Sequence, residues 1–348
     1  MSTSKKKSRD RHHHAYGGAI LCGPLPRSVD TIKVHRLARD GHAGPEEFRN
    51  AIRLDRKLIL KGQEGFAFVS GGQSDWLDIL RPLAWTFHGF QKRNSAGEDS
   101  IGPVTRWFRT NTFYRKPLVD GRISSKGDEL DSWLPKLNTK KGRGVVFLLG
   151  PYSFTKLVET SCQDYRMDDG KKLALDYAQA IAKNASSMRD ERGYGCIMLL
   201  EPAVGFDISR KTFSKPGWLC QALSKIKNAM GKKGKLGVQF PLADAKSVIP
   251  LVERSAADFI GIDGIYTDFN DIKTGKDVLL GVVDGARATI ETNEYLARQV
   301  SLFLENAEFS GTYYLGSSDR LSDVPFEVAM KKIRALAEFK PRLAEEEA

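Results

Sequence analysis

No apolar run in this sequence approaches the roughly 20 residues of a membrane-spanning helix, so a chain that crosses a bilayer is not expected. Cysteine is scarce. Cys22, Cys162, Cys196 and Cys220 stand far apart and form no CxxC pair. That usage argues against a disulfide framework or a zinc finger, and suits buried thiols in a reducing compartment. No G-x-G-x-x-G follows the first apolar run, and neither a P-loop nor a Ser-His-Asp pattern is found. Histidine is scarce too: of six, three are the run His12, His13 and His14. The opening "MSTSKKKSRDRHHHAYGG" lacks the apolar segment of a secretion signal. Residues 1–16 therefore read as a disordered basic tail, and a cytoplasmic location is expected.

Positive charge is what the chain has in excess, with a formal net charge of +11 over 348 residues. Such a balance suits anionic metabolites as well as nucleic acid. Much of it sits in the tail and in solvated stretches such as "LNTKKGRG", so a small anionic substrate is expected and nucleic acid is not.

Short apolar runs bounded by Gly, Pro or a polar residue recur along the chain. They are "AILCGP" (19–24), "FAFVSGG" (66–72), "VVFLLGP" (145–151), "CIMLLEP" (196–202), "LGVQFP" (236–241), "FIGIDG" (259–264), "LLGVVDG" (279–285) and "YYLGSS" (313–318). Runs of this kind mark strands buried on both faces. Helical patterns separate them. "PEEFRNAIRLDRKLILKGQEG" opens on Pro and two acids and ends at Gly, and "ADAKSVIPLVERSAAD" reads as one later helix. Eight alternating units predict an α/β fold, a (β/α)8 TIM barrel spanning residues 17–348. The interval of about 73–144 breaks the rhythm and is expected to hold an inserted hairpin or subdomain between strands 2 and 3.

Functional groups of such barrels lie at the carboxyl ends of the strands. The candidates there are Arg27 and Ser28, then Gln73, Asp75 and Trp76, then Glu201, Gln239, Asp263, Asp284, Arg287 and Ser318. The stretch "GPVTRWFRTNTFYRKPLV" (102–119) adds Trp107, Arg109, Asn111, Tyr114 and Arg115. Arginine grips carboxylates through its planar fork, and the aromatics pack a planar group or seal a hairpin.

Seven segments, in order over about residues 19–340, resemble the cobalamin-independent methionine synthases. "CGPLPRS" resembles their GSxPRS turn, "SGGQSDWLDILRPLA" their DGQxxWxD segment, and "WFRTNTFYRKP" their WFDTNxxY hairpin. "LLGPYSF" is similar to their GPVT turn, "IMLLEPA" to IDEPA, "LGVVDGARA" to LGVxDGRN, and "SSDRLSDVPFEVAMKKIRAL" to their closing helix. The resemblance implies a TIM barrel and methyl transfer from a methyltetrahydrofolate-type donor to a homocysteine-like thiol. In that family the thiol is activated by zinc, held by an H-x-C pair, a Glu and a Cys. Here those positions read Gln239-Phe240-Pro241, Asp263 and Asp319 or its neighbour, so no zinc and no tightly bound cofactor are expected. The acid preceding Glu201 is replaced by Leu200. What remains is similar to the family's zinc-free N-terminal barrel, as in an archaeal-type single-barrel homologue. Two alternatives stay open: a folate-binding subunit completed by a separate zinc-bearing catalytic chain, and a diverged barrel enzyme with a different substrate.

Overall fold

The computed structural model describes residues 15–91, 101–108, 110, 112–127, 129–137, 139, 142–166 and 170–341. Residues 1–14, Arg109 and Asn111, among the sequence expectations above, lie outside the described residues. Tyr16, read above as the end of the tail, opens the first strand.

Seven strands form one curled parallel sheet: β1 (Tyr16–Ala19), β2 (Val145–Leu149), β3 (Cys196–Leu200), β4 (Lys235–Phe240), β5 (Phe259–Asp263), β6 (Asp277–Val283) and β7 (Tyr313–Ser317). Their order across the sheet is β1-β7-β6-β5-β4-β3-β2. Every residue of β2, β3 and β5 is buried. Helices cover the outer face, which is why the strands lack polar alternation. The main helices are α1 (Val29–Arg39), α2 (Pro45–Gly62), α3 (Pro151–Leu157), α4 (Lys171–Asp190), α5 (Pro202–Ser209), α6 (Trp218–Met230), α7 (Asn293–Asn306) and α8 (Phe326–Glu338). Helix α2 begins as its sequence predicts. Pro45 takes the first turn and the Glu47 side chain reaches back to the Gly44 amide, as in a capping box.

The run at 66–72 behaves differently from the other seven. It makes no extended ladder, only a bridge between Val69 and Gly144. Its hydrogen bonds nevertheless reach both edges of the sheet. The Ala67 amide donates to the Ala19 carbonyl (2.9 Å), and Val145 donates to Val69 (2.9 Å). The next rung is made by a side chain. Gln73 Nε2 donates to the Phe147 carbonyl (2.9 Å), and the Phe147 amide donates to Gln73 Oε1 (2.7 Å). Gln73 lies in the left-handed region at φ 47° after Gly72 at φ 87°. That turn ends the extended run and leaves the Gln73 amide group to mimic a peptide. Gln73→Leu, which strands both main-chain groups of Phe147, should destabilise the protein by about 1–3 kcal/mol in denaturant melts.

The interval 73–144 contains two antiparallel pairs: Phe87–Phe90 with Leu118–Ser125, and Val104–Arg106 with Phe113–Arg115. The segment "ADAKSVIPLVERSAAD" is not one helix. It splits into a 3-10 turn at Ala245–Ser247 and a short helix at Ile249–Glu253, because Pro250 starts a helix readily but cannot continue one.

Candidate active site

The carboxyl ends of β3 to β7 bring Glu201, Gln239, Asp263, Asp284 and Ser318 to one end of the sheet. Their roles there differ. Glu201 is fully buried beyond β3. One of its oxygens accepts the Tyr152 amide (2.9 Å) and the other accepts Ser153 (2.7 Å). It thus caps the first turn of α3 from a neighbouring strand, where helix amides lack internal partners. Gly150 makes the reach possible, since a β-carbon there would collide with the Glu201 carboxyl group. Burial pushes Glu201 up to about 7, against the pull of the Ser153 hydroxyl and the two amides.

Asp263 ends β5 and is 1 % exposed. Its oxygens accept amides from Leu242 (2.8 Å) and Ile265 (3.0 Å). Burial raises it to about 7, opposed by these amides and reinforced by the charge of Asp319. Asp319 follows β7. One of its oxygens accepts the Arg320 amide (2.8 Å). Burial raises it to about 6, Arg320 opposes the shift, and the charges of Asp323 and Asp284 add to it. Cys22, just past β1, is wholly buried, and burial with the fields of Asp319 and Asp263 pushes its thiol well above the ordinary value. This end of the sheet is therefore locally acidic in a chain that is basic as a whole.

Gln239 lies on β4 beside Gly261 of β5, with which it is in register. Its Nε2 donates to the Ser318 carbonyl (2.9 Å). Its Oε1 is buried without a hydrogen-bond donor among the described residues. The Ser318 hydroxyl accepts the Gly285 amide (3.2 Å). Asp284 caps its own loop through the Ala286 and Arg287 amides (2.9 and 3.2 Å). Arg287 pairs with it at 3.5 Å from a side chain that is 79 % exposed.

The pair Val104–Arg106 and Phe113–Arg115 docks against the same end. The Arg320 guanidinium stacks over the Trp107 ring, 4.4 Å from its centre. The Thr112 hydroxyl donates to Asp323 (2.9 Å), and Phe108 packs on Phe206 of α5 (5.2 Å). Tyr114 meets Trp107 edge-on at 5.6 Å and donates its hydroxyl to the Leu157 carbonyl (3.2 Å). Tyr114 therefore braces α3, and burial raises its hydroxyl to about 12. The Trp107 indole N–H is buried without an acceptor among the described residues. Arg115 is exposed and donates to the Gly102 carbonyl (3.1 Å).

The remaining candidates sit in other contacts. Arg27 meets His35 Nδ1 at 3.1 Å, and Ser28 caps α1 through the Thr31 amide (3.2 Å). Asp75 faces Arg56 at 3.8 Å, and burial raises its carboxyl. Trp76 donates to the Trp133 carbonyl (3.3 Å). Gln73 bridges to β2 as described. Arg320 and Asp323 were not among the sequence candidates. "SSDRLSD" carries no spacing signal for them, and their importance comes from the docking of Trp107 and Thr112.

No protein-family model matches the chain. A 5-methyltetrahydropteroyltriglutamate–homocysteine methyltransferase of Bifidobacterium adolescentis is 30 % identical over 199 residues, covering 54 % of this chain and 23 % of that relative. The match thus spans less than a quarter of the relative's length. A B12-independent methionine synthase from Shewanella sp. W3-18-1, solved in complex with selenomethionine, superposes with a TM-score of 0.62 at 17 % identity, covering 93 % of this chain and 95 % of that one. A Listeria monocytogenes protein assigned to the vitamin-B12-independent methionine synthases gives 0.64 at 11 % identity, covering 93 % and 97 %. In sequence over the matched half, and in fold along nearly its whole length, the chain resembles the cobalamin-independent methionine synthases.

Proposed function

We propose that the chain is a methionine-synthase-like methyltransferase that binds a folate-type methyl donor and transfers its methyl group to a homocysteine-like thiol. The observation that carries this reading is the 30 % identity to a 5-methyltetrahydropteroyltriglutamate–homocysteine methyltransferase, together with polar strand ends gathered under a docked aromatic hairpin. On this reading residues 17–348 form one (β/α)8 barrel. Segment 66–73 stands in for the second strand, and about 73–144 is an insertion. Among the described residues no helix is long and apolar enough to cross a membrane, and a cytoplasmic enzyme is the form we infer.

The strand ends do not fit a thiol-activating zinc. Such a site needs imidazole or thiolate donors and an open position. The positions in question carry an amide and two carboxylates, and both Asp263 oxygens already accept main-chain amides. Among the described residues no three His, Cys, Asp or Glu side chains converge as metal ligands.

A second reading has support of its own. Val29 (68 %) and Leu37 (38 %) on α1, and Leu54 and Leu58 on α2, are exposed apolar side chains. They suit a folate-binding subunit that docks onto a separate zinc-bearing catalytic chain.

The test is a direct methyl-transfer assay with a methyltetrahydrofolate donor and homocysteine, chain alone. Product formed without any added protein supports the first reading. Donor binding without turnover favours the second, and neither binding nor turnover defeats both. Within the first, Arg109→Ala with Arg115→Ala is expected to weaken binding of a reduced-folate analogue about tenfold or more, as loss of charge-assisted hydrogen bonds does. Unchanged affinity would remove the hairpin cations from the site.

A further inference from the structure

We propose that the hairpin of Val104–Arg106 and Phe113–Arg115 is a lid over the carboxyl ends of β4, β5 and β6. Its latch is Thr112 on Asp323 and Trp107 under Arg320, and a substrate enters when that latch opens. The motion stands on geometry alone; what enters, a folate-type donor, rests on the methyl-transfer reading above.

The strand ends are sealed in this form. Glu201 and Gln239 are 0 % exposed, Asp263 1 % and Ser318 4 %. A ligand reaches them only if a covering element moves. The loops around them are tied to the sheet by main-chain bonds: Gly264 donates to the Gly281 carbonyl (2.8 Å) and Ser318 to Val283 (2.7 Å). The hairpin is not. Among the described residues its two strands pair only with each other, and no bond between main-chain groups joins residues 103–116 to the rest of the barrel. Its far end nevertheless spans the mouth. Trp107 lies under Arg320 of the loop after β7, and Phe108 packs on Phe206 of α5, which follows β3. The Trp107 and Phe108 rings are 5.2 Å apart. In the sheet β6, β5 and β4 stand between β7 and β3. Two adjacent residues thus bridge strand ends that have three others between them, the three that carry Asp284, Asp263 and Gln239.

The contacts that hold the far end are made by side chains: Arg320 over Trp107 (4.4 Å), Thr112 to Asp323 (2.9 Å), Phe108 on Phe206 (5.2 Å) and the Tyr114 hydroxyl to Leu157 (3.2 Å). Nearer the base the Arg115 amide reaches Asp78 at 3.4 Å. The base itself is a pivot. Gly102, at φ 124°, lies so close to the Lys116 carbonyl that a β-carbon would collide with it, and the Lys116 amide donates to Pro103 (2.9 Å). Both arms therefore meet at one narrow point, and a change of a few dihedrals there swings the whole ribbon. Phe108 supplies an opening tendency. It sits in the left-handed region at φ 48°, which is costly for a bulky side chain and persists only while its surroundings hold it. Lifting the hairpin off Phe206 releases that strain.

The experiment is hydrogen exchange with mass spectrometry on the full chain, following the Leu242, Ile265 and Gly285 amides, which are bonded to side chains at the strand ends. Thr112→Val removes the hydrogen bond of the latch and keeps its shape. Those amides should then exchange about three- to tenfold faster, with β2 and β3 unchanged. Thr112→Cys with Asp323→Cys replaces two side chains whose oxygens lie 2.9 Å apart. Diamide takes two hydrogens from the thiols to close a disulfide, and dithiothreitol reverses it. Wild type treated alike controls for Cys162 and Cys220, the half-buried native thiols. The closed disulfide should slow the same amides about tenfold or more relative to its reduced form. It should slow association of 5-formyltetrahydrofolate in stopped flow by a similar factor. Exchange that Thr112→Val leaves unchanged overturns the proposal, whether or not the double variant folds. So does slowing spread evenly over the sheet, which marks a general stabilisation, and so does folate association that the closed disulfide leaves unchanged. A protein whose strand-end exchange follows the latch but which binds no 5-formyltetrahydrofolate keeps the lid and defeats the methyl-transfer reading.

Discussion

Lys332→Met is expected to cost about 3–5 kcal/mol of unfolding free energy, because it strands a buried carboxylate. Lys332 is 0 % exposed on α8, and Glu291, its partner, is 7 % exposed. The ammonium donates to both Glu291 oxygens at 2.9 Å and to the Thr289 carbonyl. Methionine matches the lysine stem in volume, so the loss isolates the charge rather than a cavity. The double variant Lys332→Met with Glu291→Gln removes both charges and keeps an oxygen for the Asp284 amide, which Glu291 holds at 2.9 Å. It should recover most of the loss, since replacing both members of a buried pair is close to neutral. Chemical denaturation of the three proteins decides the matter, and a double variant no better than the single would show that the contact is mainly steric. The pair also sets the Asp284 loop, so the single variant should loosen that loop before it unfolds.

Glu201→Ala should destabilise the protein by about 3–4 kcal/mol, from two buried amides left without an acceptor at about 1–3 kcal/mol each. No intrahelical carbonyl can replace Glu201, because the first amides of α3 have none to reach. Glu201→Gln keeps one oxygen but turns an NH2 toward the other amide, so it should recover only part of the loss. The variants are read by thermal melts with a check on circular dichroism. Equal stability of wild type and alanine variant would mean that water enters beside Gly150 and satisfies the amides. By the same reasoning the residue positions the loop at the head of α3, and its substitution is expected to disturb the strand-end site only through that loop.

The strands were readable because burial on both faces removes every polar residue from them: "VVFLL" and "CIMLL" could belong to little else. Run 66–72 carries the same apolar signal but sits against two edges that it touches at only a few points, a tertiary fact with no local trace. Helix 245–253 failed for a local reason that was visible, namely Pro250. At the site, position was legible and role was not. The pattern puts Glu201, Asp263 and Asp284 at strand ends correctly, yet nothing in it says that Glu201 and Asp284 serve mainly amides while one oxygen of Asp319 has no such partner among the described residues. Arg320 escaped notice because a lone arginine after a serine pair reads as solvated. It gains its meaning from an indole brought there by residues more than two hundred positions earlier.

The Gln73 rung has a mechanical consequence for the whole sheet. Main-chain ladders share load along many bonds, whereas the margin between residues 66–73 and β2 depends at this level on a single amide side chain. Two backbone bonds join each margin of that segment, Val69 with Arg143 and Val145 toward β2, and Ala67 with Ala19 and Leu25 with Gly72 toward β1, so the Gln73 pair is what the β2 margin has in addition. That extra clasp lies two residues from Asp75 and three from Trp76, so losing it is expected to loosen those two side chains before the strands themselves part.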